Sequence, residues 1–296
     1  MMLEKLLTEI DVREWNTFAV IIAKDGKIID SHYRRDKNAL LPQYSVTKAF
    51  MSCAAGILWD SKRLLLDQYI GYYLPQIQSS NNERLKRVKV KHLLMNAMGN
   101  SRGYLFEADR HSYIFDDYLE LIISMPLKYM AGQKFVYSNS NFYLLSRIIE
   151  SITGQKADDF IKDNIFLPLE ITEYKAVRCP TDHFLGGSGL FLKTSDMVKL
   201  GILFGNYGIY RDQRILSKDY IIEAFSPQIR LNSKERYGYA FMMKDSRNVF
   251  VPGNYNQILF IDKADNVVVA VNSDVRPSDT GTLMKVIRRC LSVPLS

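Results

Sequence analysis

The chain has 296 residues, 47% hydrophobic and 24% charged, which supplies a buried core for one large domain or two interleaved ones and excludes a disordered chain. The formal net charge is +7, but Lys and Arg are scattered apart from short clusters at Arg34-Arg35, residues 86–91 and Arg288-Arg289. That spread describes a solvated surface and argues against a nucleic-acid partner. Cys53, Cys179 and Cys290 are odd in number and far apart, so they offer neither a disulfide framework nor a Cys-x-x-Cys site and read as free thiols. His32, His92, His111 and His183 show no metal-ligand spacing, so neither a metal nor a cofactor is expected.

Residues 2–9 have the periodicity of an amphipathic helix. Glu4, Lys5, Glu9, Asp11 and Arg13 interrupt the uncharged stretch a secretory signal needs, and no run reaches membrane-span length. A cytoplasmic location is therefore expected, with a processed secreted form as the alternative. Residues 17–23 and 27–33 are β-rich and joined through Asp25-Gly26, a hairpin signal. The ribbon leads through Leu41-Pro42 to an apolar segment, 45–60, that reads as a helix.

From about residue 71 to 180 helical periodicity dominates. Helices are expected over 90–98, with His92-Leu93-Leu94 inward, over 116–125, stopped by Pro126, and over 139–153, stopped by Gly154. After Gly186-Gly187-Ser188-Gly189, Thr194 or Ser195 can cap a helix running to about 204, and 218–225 is another. Four β-rich runs follow, at 237–243, 248–251, 257–262 and 266–272, before a closing helix over 279–291. If the opening ribbon pairs with these late strands, the fold is α/β of the α+β kind. It would be an antiparallel sheet built from both chain ends (1–70 and 181–296), flanked by helices, with an all-α insertion over 71–180.

Ser45 is the only serine followed by a lysine three residues on. On a helix that spacing puts Ser45 and Lys48 on one face at its first turn. A lysine desolvated among apolar side chains loses its proton near neutral pH and can activate the serine, while backbone N–H groups at the helix N-terminus can hold an oxyanion. The plain alternative is a polar helix face. The only Tyr-x-Asn, Tyr137-Ser138-Asn139, lies where the 139–153 helix begins. There a phenol and an amide can serve as proton shuttle and carbonyl clamp, or equally as a packed ring beside an N-cap.

Together, Ser45-x-x-Lys48 and Tyr137-Ser138-Asn139 resemble the first two motifs of the serine β-lactamase and penicillin-binding protein superfamily, in its class C β-lactamase, D-alanyl-D-alanine carboxypeptidase and esterase branch. The likeness extends over Lys91-His92-Leu93-Leu94 to Gly99, Ala131-Gly132-Gln133 to Gly154, and residues 186–199. It implies an active site in the cleft between the sheet domain and the helical domain. It also implies Ser45 as acylated nucleophile, Lys48 as its base, Tyr137 as proton shuttle and Asn139 as substrate clamp, with backbone N–H groups of Ser45 and Asn254 as oxyanion hole. The third motif departs. Where the branch carries Lys or His, a small residue and Gly, this chain has Val251-Pro252-Gly253, with no cation for a substrate carboxylate unless Arg276 substitutes.

The resulting expectation is a serine hydrolase acting through an acyl-enzyme on a small ester or amide, with a small ester, amide or β-lactam-like molecule as its substrate partner. The alternatives are a β-lactamase or D,D-carboxypeptidase, and a slow ligand-binding or sensor module on the same scaffold. Tyr44, Phe106, Tyr113 and Tyr255 are candidate pocket aromatics.

Overall fold

Strand β1, Thr17–Lys24, is an apolar run between a polar residue at either end, and it is buried on both faces. Successive side chains of a strand point to opposite faces, so such a run needs a hydrophobic layer on each. The computed structural model, which describes residues 2–291, shows both layers. Val20 and Ile22 pack with Leu3, Leu6, Leu283 and Ile287 of the two terminal helices, α1 (Met2–Val12) and the closing helix Thr280–Leu291. Ile21 and Ala23 face the opposite layer, which contains α2, Thr47–Asp60.

The hairpin partner β2, Lys27–Tyr33, follows a two-residue loop in which Asp25 (φ 47°) and Gly26 (φ 80°) are both left-handed, the conformation a tight antiparallel turn demands. The late strands are β3 (Ile229–Arg230), β4 (Arg236–Tyr237), β5 (Met242–Met243), β6 (Asn248–Pro252), β7 (Ile258–Asp262) and β8 (Val267–Ser273). The eight form one sheet in the order β2-β1-β8-β7-β6-β5-β4-β3. β1 pairs antiparallel with β8, Val20 opposite Val271, so the two chain ends share one sheet as expected.

Helix α3, Val90–Leu94, is followed by α4, Tyr118–Ser124, and α5, Asn139–Thr153, which ends on Gly154 at φ 74°. α6, Thr194–Gly205, then lies against the sheet: a Cβ added at Gly201 would sit 2.4 Å from Val268 Cγ1, so the missing side chain is what permits the approach. α7, Lys218–Ala224, and the closing helix, α8, complete the labelled set.

Several local expectations need correction. The helix expected from Ser45 begins at Thr47, because Tyr44–Val46 forms a 3₁₀ turn first. The helix expected to residue 98 stops at Leu94, where Asn96 takes φ 54° and hands the chain to the site. The run 237–243 is two short strands: Tyr239 N–H donates to Ala224 O and Ala240 N–H to Leu94 O, so the backbone leaves the ladder to bridge two helices. Lys193, not Thr194, is the N-cap of α6, and the Thr194 hydroxyl donates to Asn272 Oδ1 at 2.7 Å instead. The segment 71–180 is helical only in pieces, and Lys175–Ala176 is a strand that pairs with Leu190–Leu192, which pairs in turn with Leu41–Pro42.

Candidate active site

The site is built on α2. Its sequence, Thr-Lys-Ala-Phe-Met-Ser-Cys-Ala-Ala-Gly, is buried without interruption from Thr47 to Gly56, so the one charged side chain in that run, Lys48, has no route to water. The 3₁₀ turn before it carries Ser45, and Tyr44 is held at φ 44°, a strained value for a bulky residue. The strain brings the hydroxyl beside the amine: Lys48 Nζ lies 3.0 Å from Ser45 Oγ.

Two further acceptors fix the amine. Lys48 Nζ donates to Asn139 Oδ1 at 2.6 Å and to Gly187 O at 2.6 Å. No carboxylate pairs with it among the described residues, and burial alone drives its pKa well below the usual 10.5. A neutral amine has two N–H donors and one lone pair. With Asn139 and Gly187 taking the donors, the lone pair is left for the Ser45 O–H, the arrangement of a base and its nucleophile. The rings of Tyr137 and Phe142 lie 4.7 and 5.5 Å from Nζ and offer their faces to whatever cationic fraction remains.

Tyr137 precedes α5. Burial pushes its phenol up to about 12, against the opposing pull of a hydrogen bond with Ser45, and its ring stacks on Phe106 at 6.4 Å between centroids. The residue between the paired groups, Ser138, is the N-cap of α5: its Oγ accepts from Ser140 N–H, and it also accepts from Tyr104 N–H. Asn139, expected as a substrate clamp, accepts at Oδ1 from Lys48 and donates from Nδ2 to Leu105 O at 3.0 Å, so its amide is oriented before any substrate arrives.

Two residues of this frame were not among the expected ones. Asn96, fully buried, accepts from Ser138 N–H and from Asn141 Nδ2 and donates to the Tyr237 hydroxyl, tying the Tyr137 to Asn139 turn to the sheet. Nothing in its spacing marks it; its importance is a long-range one. Gly187 was visible only as part of a glycine-rich turn. A Cβ there would lie 2.7 to 2.8 Å from the Cβ, Cα and Cγ of Asn139, so only glycine lets the loop reach Lys48. Gly187→Ala is expected to lower kcat/KM on the order of 10²-fold by displacing Asn139 and the lysine acceptor, measured beside thermal unfolding to separate misplacement from unfolding.

The cleft above Ser45 has a volume of about 470 Å³, an ordinary size for a small-molecule site, and is lined by Tyr44, Phe106, Tyr137, Asn139, Gly253 and Asn254 among others. Ser45, Tyr137, Asn139, Gly253 and Asn254 are thus brought together. Two expected residues are not. Val251 lies on β6 opposite Leu259, 2% exposed, with its side chain in the core rather than on the cleft. Arg276 is exposed and lines a separate depression with Arg13, Trp15 and Asp279, so it does not replace the missing cation. Pro252 is the last residue of β6, beyond the part that pairs with β5, as its lack of an N–H requires. Of the aromatic candidates, Tyr255 packs on Tyr44 at 5.4 Å, while Tyr113 turns its hydroxyl to Asp109.

Among the described residues no helix is long and apolar enough to cross a membrane. An Escherichia coli (strain K12) protein provisionally named D-alanyl-D-alanine carboxypeptidase is 30% identical over 128 residues, 39% of this chain and 28% of that longer one. The chain superposes on EstCE1, described as a hydrolase with promiscuous acyltransferase activity, with a TM-score of 0.82 at 15% identity, covering 99% of this chain and 98% of that one. For the octameric penicillin-binding protein homologue from Pyrococcus abyssi the TM-score is 0.79 at 17% identity, over 97% of this chain and 76% of that one. At such identities the likeness is one of fold. The family model Beta-lactamase matches residues 11–287, nearly the whole chain, and the protein belongs to the Beta-lactamase family.

Proposed function

We propose that this protein is a serine hydrolase that works through an acyl-enzyme on a small ester or amide. The observation that carries the reading is the buried, carboxylate-free Lys48, hydrogen-bonded to Asn139 Oδ1 and Gly187 O with its Nζ 3.0 Å from Ser45 Oγ, so that in its neutral form the lone pair is left for the serine O–H. Ser45 Oγ attacks the substrate carbonyl as its proton passes to Lys48. Backbone N–H groups of Ser45 and Asn254 take the oxyanion, and the proton reaches the leaving group through Tyr137. Water then enters the same cycle in reverse and releases the acid. Asn139 holds the lysine and presents its amide edge to the substrate. In this reading the sheet domain (1–70 and 181–296) and the segment 71–180 form the two walls of the cleft.

The absence of a cation among the cleft residues favours esters and simple amides over β-lactams and peptidoglycan peptides, whose carboxylate would meet no partner. Turnover of short-chain p-nitrophenyl esters against nitrocefin separates them: the expected result is ester hydrolysis with kcat/KM at least ~10²-fold higher. A fluorophosphonate adduct mapped to Ser45 is expected in the same preparation. Efficient nitrocefin hydrolysis would move the assignment to a β-lactamase, and an adduct on another residue would remove the mechanism. Tyr137→Phe is expected to lose on the order of 10²-fold or more in kcat with a smaller change in KM, because the phenol acts after the substrate is bound.

A further inference from the structure

The cleft has a charge opposite to that of the chain. Against a formal net charge of +7, its lining contains no Lys or Arg, and its one acidic side chain is Glu107. Glu107 is exposed on the segment that also brings Phe106 to the cleft, and among the described residues its carboxylate has neither an ion-pair partner nor a side-chain hydrogen bond. Of the basic residues nearest in sequence, Arg102 lies over the Tyr104 ring at 4.5 Å. The Glu107 field is felt within the cleft, where, after burial, it is the largest of the influences raising the Tyr44 phenol, followed by those of Tyr255 and Asp274.

Beside that carboxylate the walls are aromatic. Tyr44, Phe106 and Tyr137 line the cleft, with Phe106 and Tyr137 parallel to within 7°. A carboxylate without a side-chain partner among the described residues, beside π faces in a pocket without cations, is complementary to a quaternary or primary ammonium and repels a carboxylate. We propose that this site selects substrates carrying an ammonium group, held by Glu107 against the rings of Tyr44 and Phe106. The inference rests on the serine-hydrolase reading for its turnover and on the cleft alone for its binding. Because Glu107 is solvent-exposed, the preference is modest, on the order of tenfold, and is screened by salt.

The test uses three esters of matched size: p-nitrophenyl 4-trimethylammoniobutyrate, its uncharged isostere p-nitrophenyl 5,5-dimethylhexanoate, and the anionic p-nitrophenyl hydrogen adipate. The quantity is the ratio of kcat/KM for the ammonium ester over the isostere in the unaltered protein, divided by the same ratio in Glu107→Gln, which cancels intrinsic reactivity. A quotient of about 10 is expected, with Glu107→Lys reversing the order in favour of the adipate. In parallel, calorimetry on Ser45→Ala reads binding of the three corresponding carboxamides without chemistry. Tighter binding of the ammonium amide, abolished when Glu107→Gln is added, is expected.

A quotient near 1, or equal binding of the three amides, or no binding of any, would overturn the proposal. Turnover without charge preference would leave the hydrolase reading standing. Charge-selective binding with no turnover of any ester would do the reverse.

Discussion

Ser45→Ala is expected to lose ~10⁴-fold or more in kcat/KM toward any ester the protein hydrolyses, and to lose labelling by fluorophosphonates entirely. The scale follows from the arrangement: within the cleft, the hydroxyl that Lys48 Nζ approaches at 3.0 Å is that of Ser45, so removing it leaves a base with nothing to activate. Stability is expected to move by no more than about 1 kcal/mol, since the serine side chain is half-buried in a turn and forms no part of the core. Active-site titration and thermal unfolding on the same sample check both halves. Residual turnover above a percent of the parent, at unchanged unfolding temperature, would mean that another nucleophile does the work.

Lys48→Ala is expected to lose on the order of 10³-fold or more in kcat/KM and, more tellingly, to remove the rising limb of the pH profile. The amine must be neutral to accept the serine proton, and burial depresses its pKa well below 10.5, so activity rises with pH through that depressed value. Tyr137, pushed up to about 12, adds no falling limb below that.

The same shift has a consequence for stability. Between the depressed folded value and the unfolded value near 10.5, the unfolded chain binds the extra proton, so stability increases with pH across that window and this contribution to the slope vanishes below it. Lys48→Met is expected to flatten that slope, read from urea midpoints across a pH series that ends at 10.5. An unchanged pH–rate profile in Lys48→Ala would remove the lysine from the mechanism, whatever the loss in rate.

Much of the architecture follows from short-range rules. The β1–β2 hairpin needs only Asp25-Gly26, and α5 needs its apolar period and a terminal glycine, so their ends lie at or within a residue of expectation. Two of the errors share one cause. Where a backbone N–H or a hydroxyl finds a partner far along the chain, local signals mislead: Ala240 leaves its strand for Leu94 O, and Thr194 forgoes capping for Asn272. The site divides in the same way. Ser45 and Lys48 are legible because they stand three positions apart, across the 3₁₀ turn and the start of α2. Asn96, Gly187 and Glu107 are not, because each gains its significance from a neighbour dozens of residues distant in the chain.

Residue type and spacing were therefore sufficient to single out Ser45, Lys48 and the Tyr137-Ser138-Asn139 turn, while their roles and the missing cation at Val251 were what the family resemblance implied. Tertiary packing alone decided the rest. Burial is a property of the folded whole, so only the fold could depress the Lys48 pKa and set its amine 3.0 Å from Ser45 Oγ. Only the fold, too, could turn Val251 into the core, carry Arg276 to another depression, and leave the unpaired Glu107 at the mouth of an aromatic cleft.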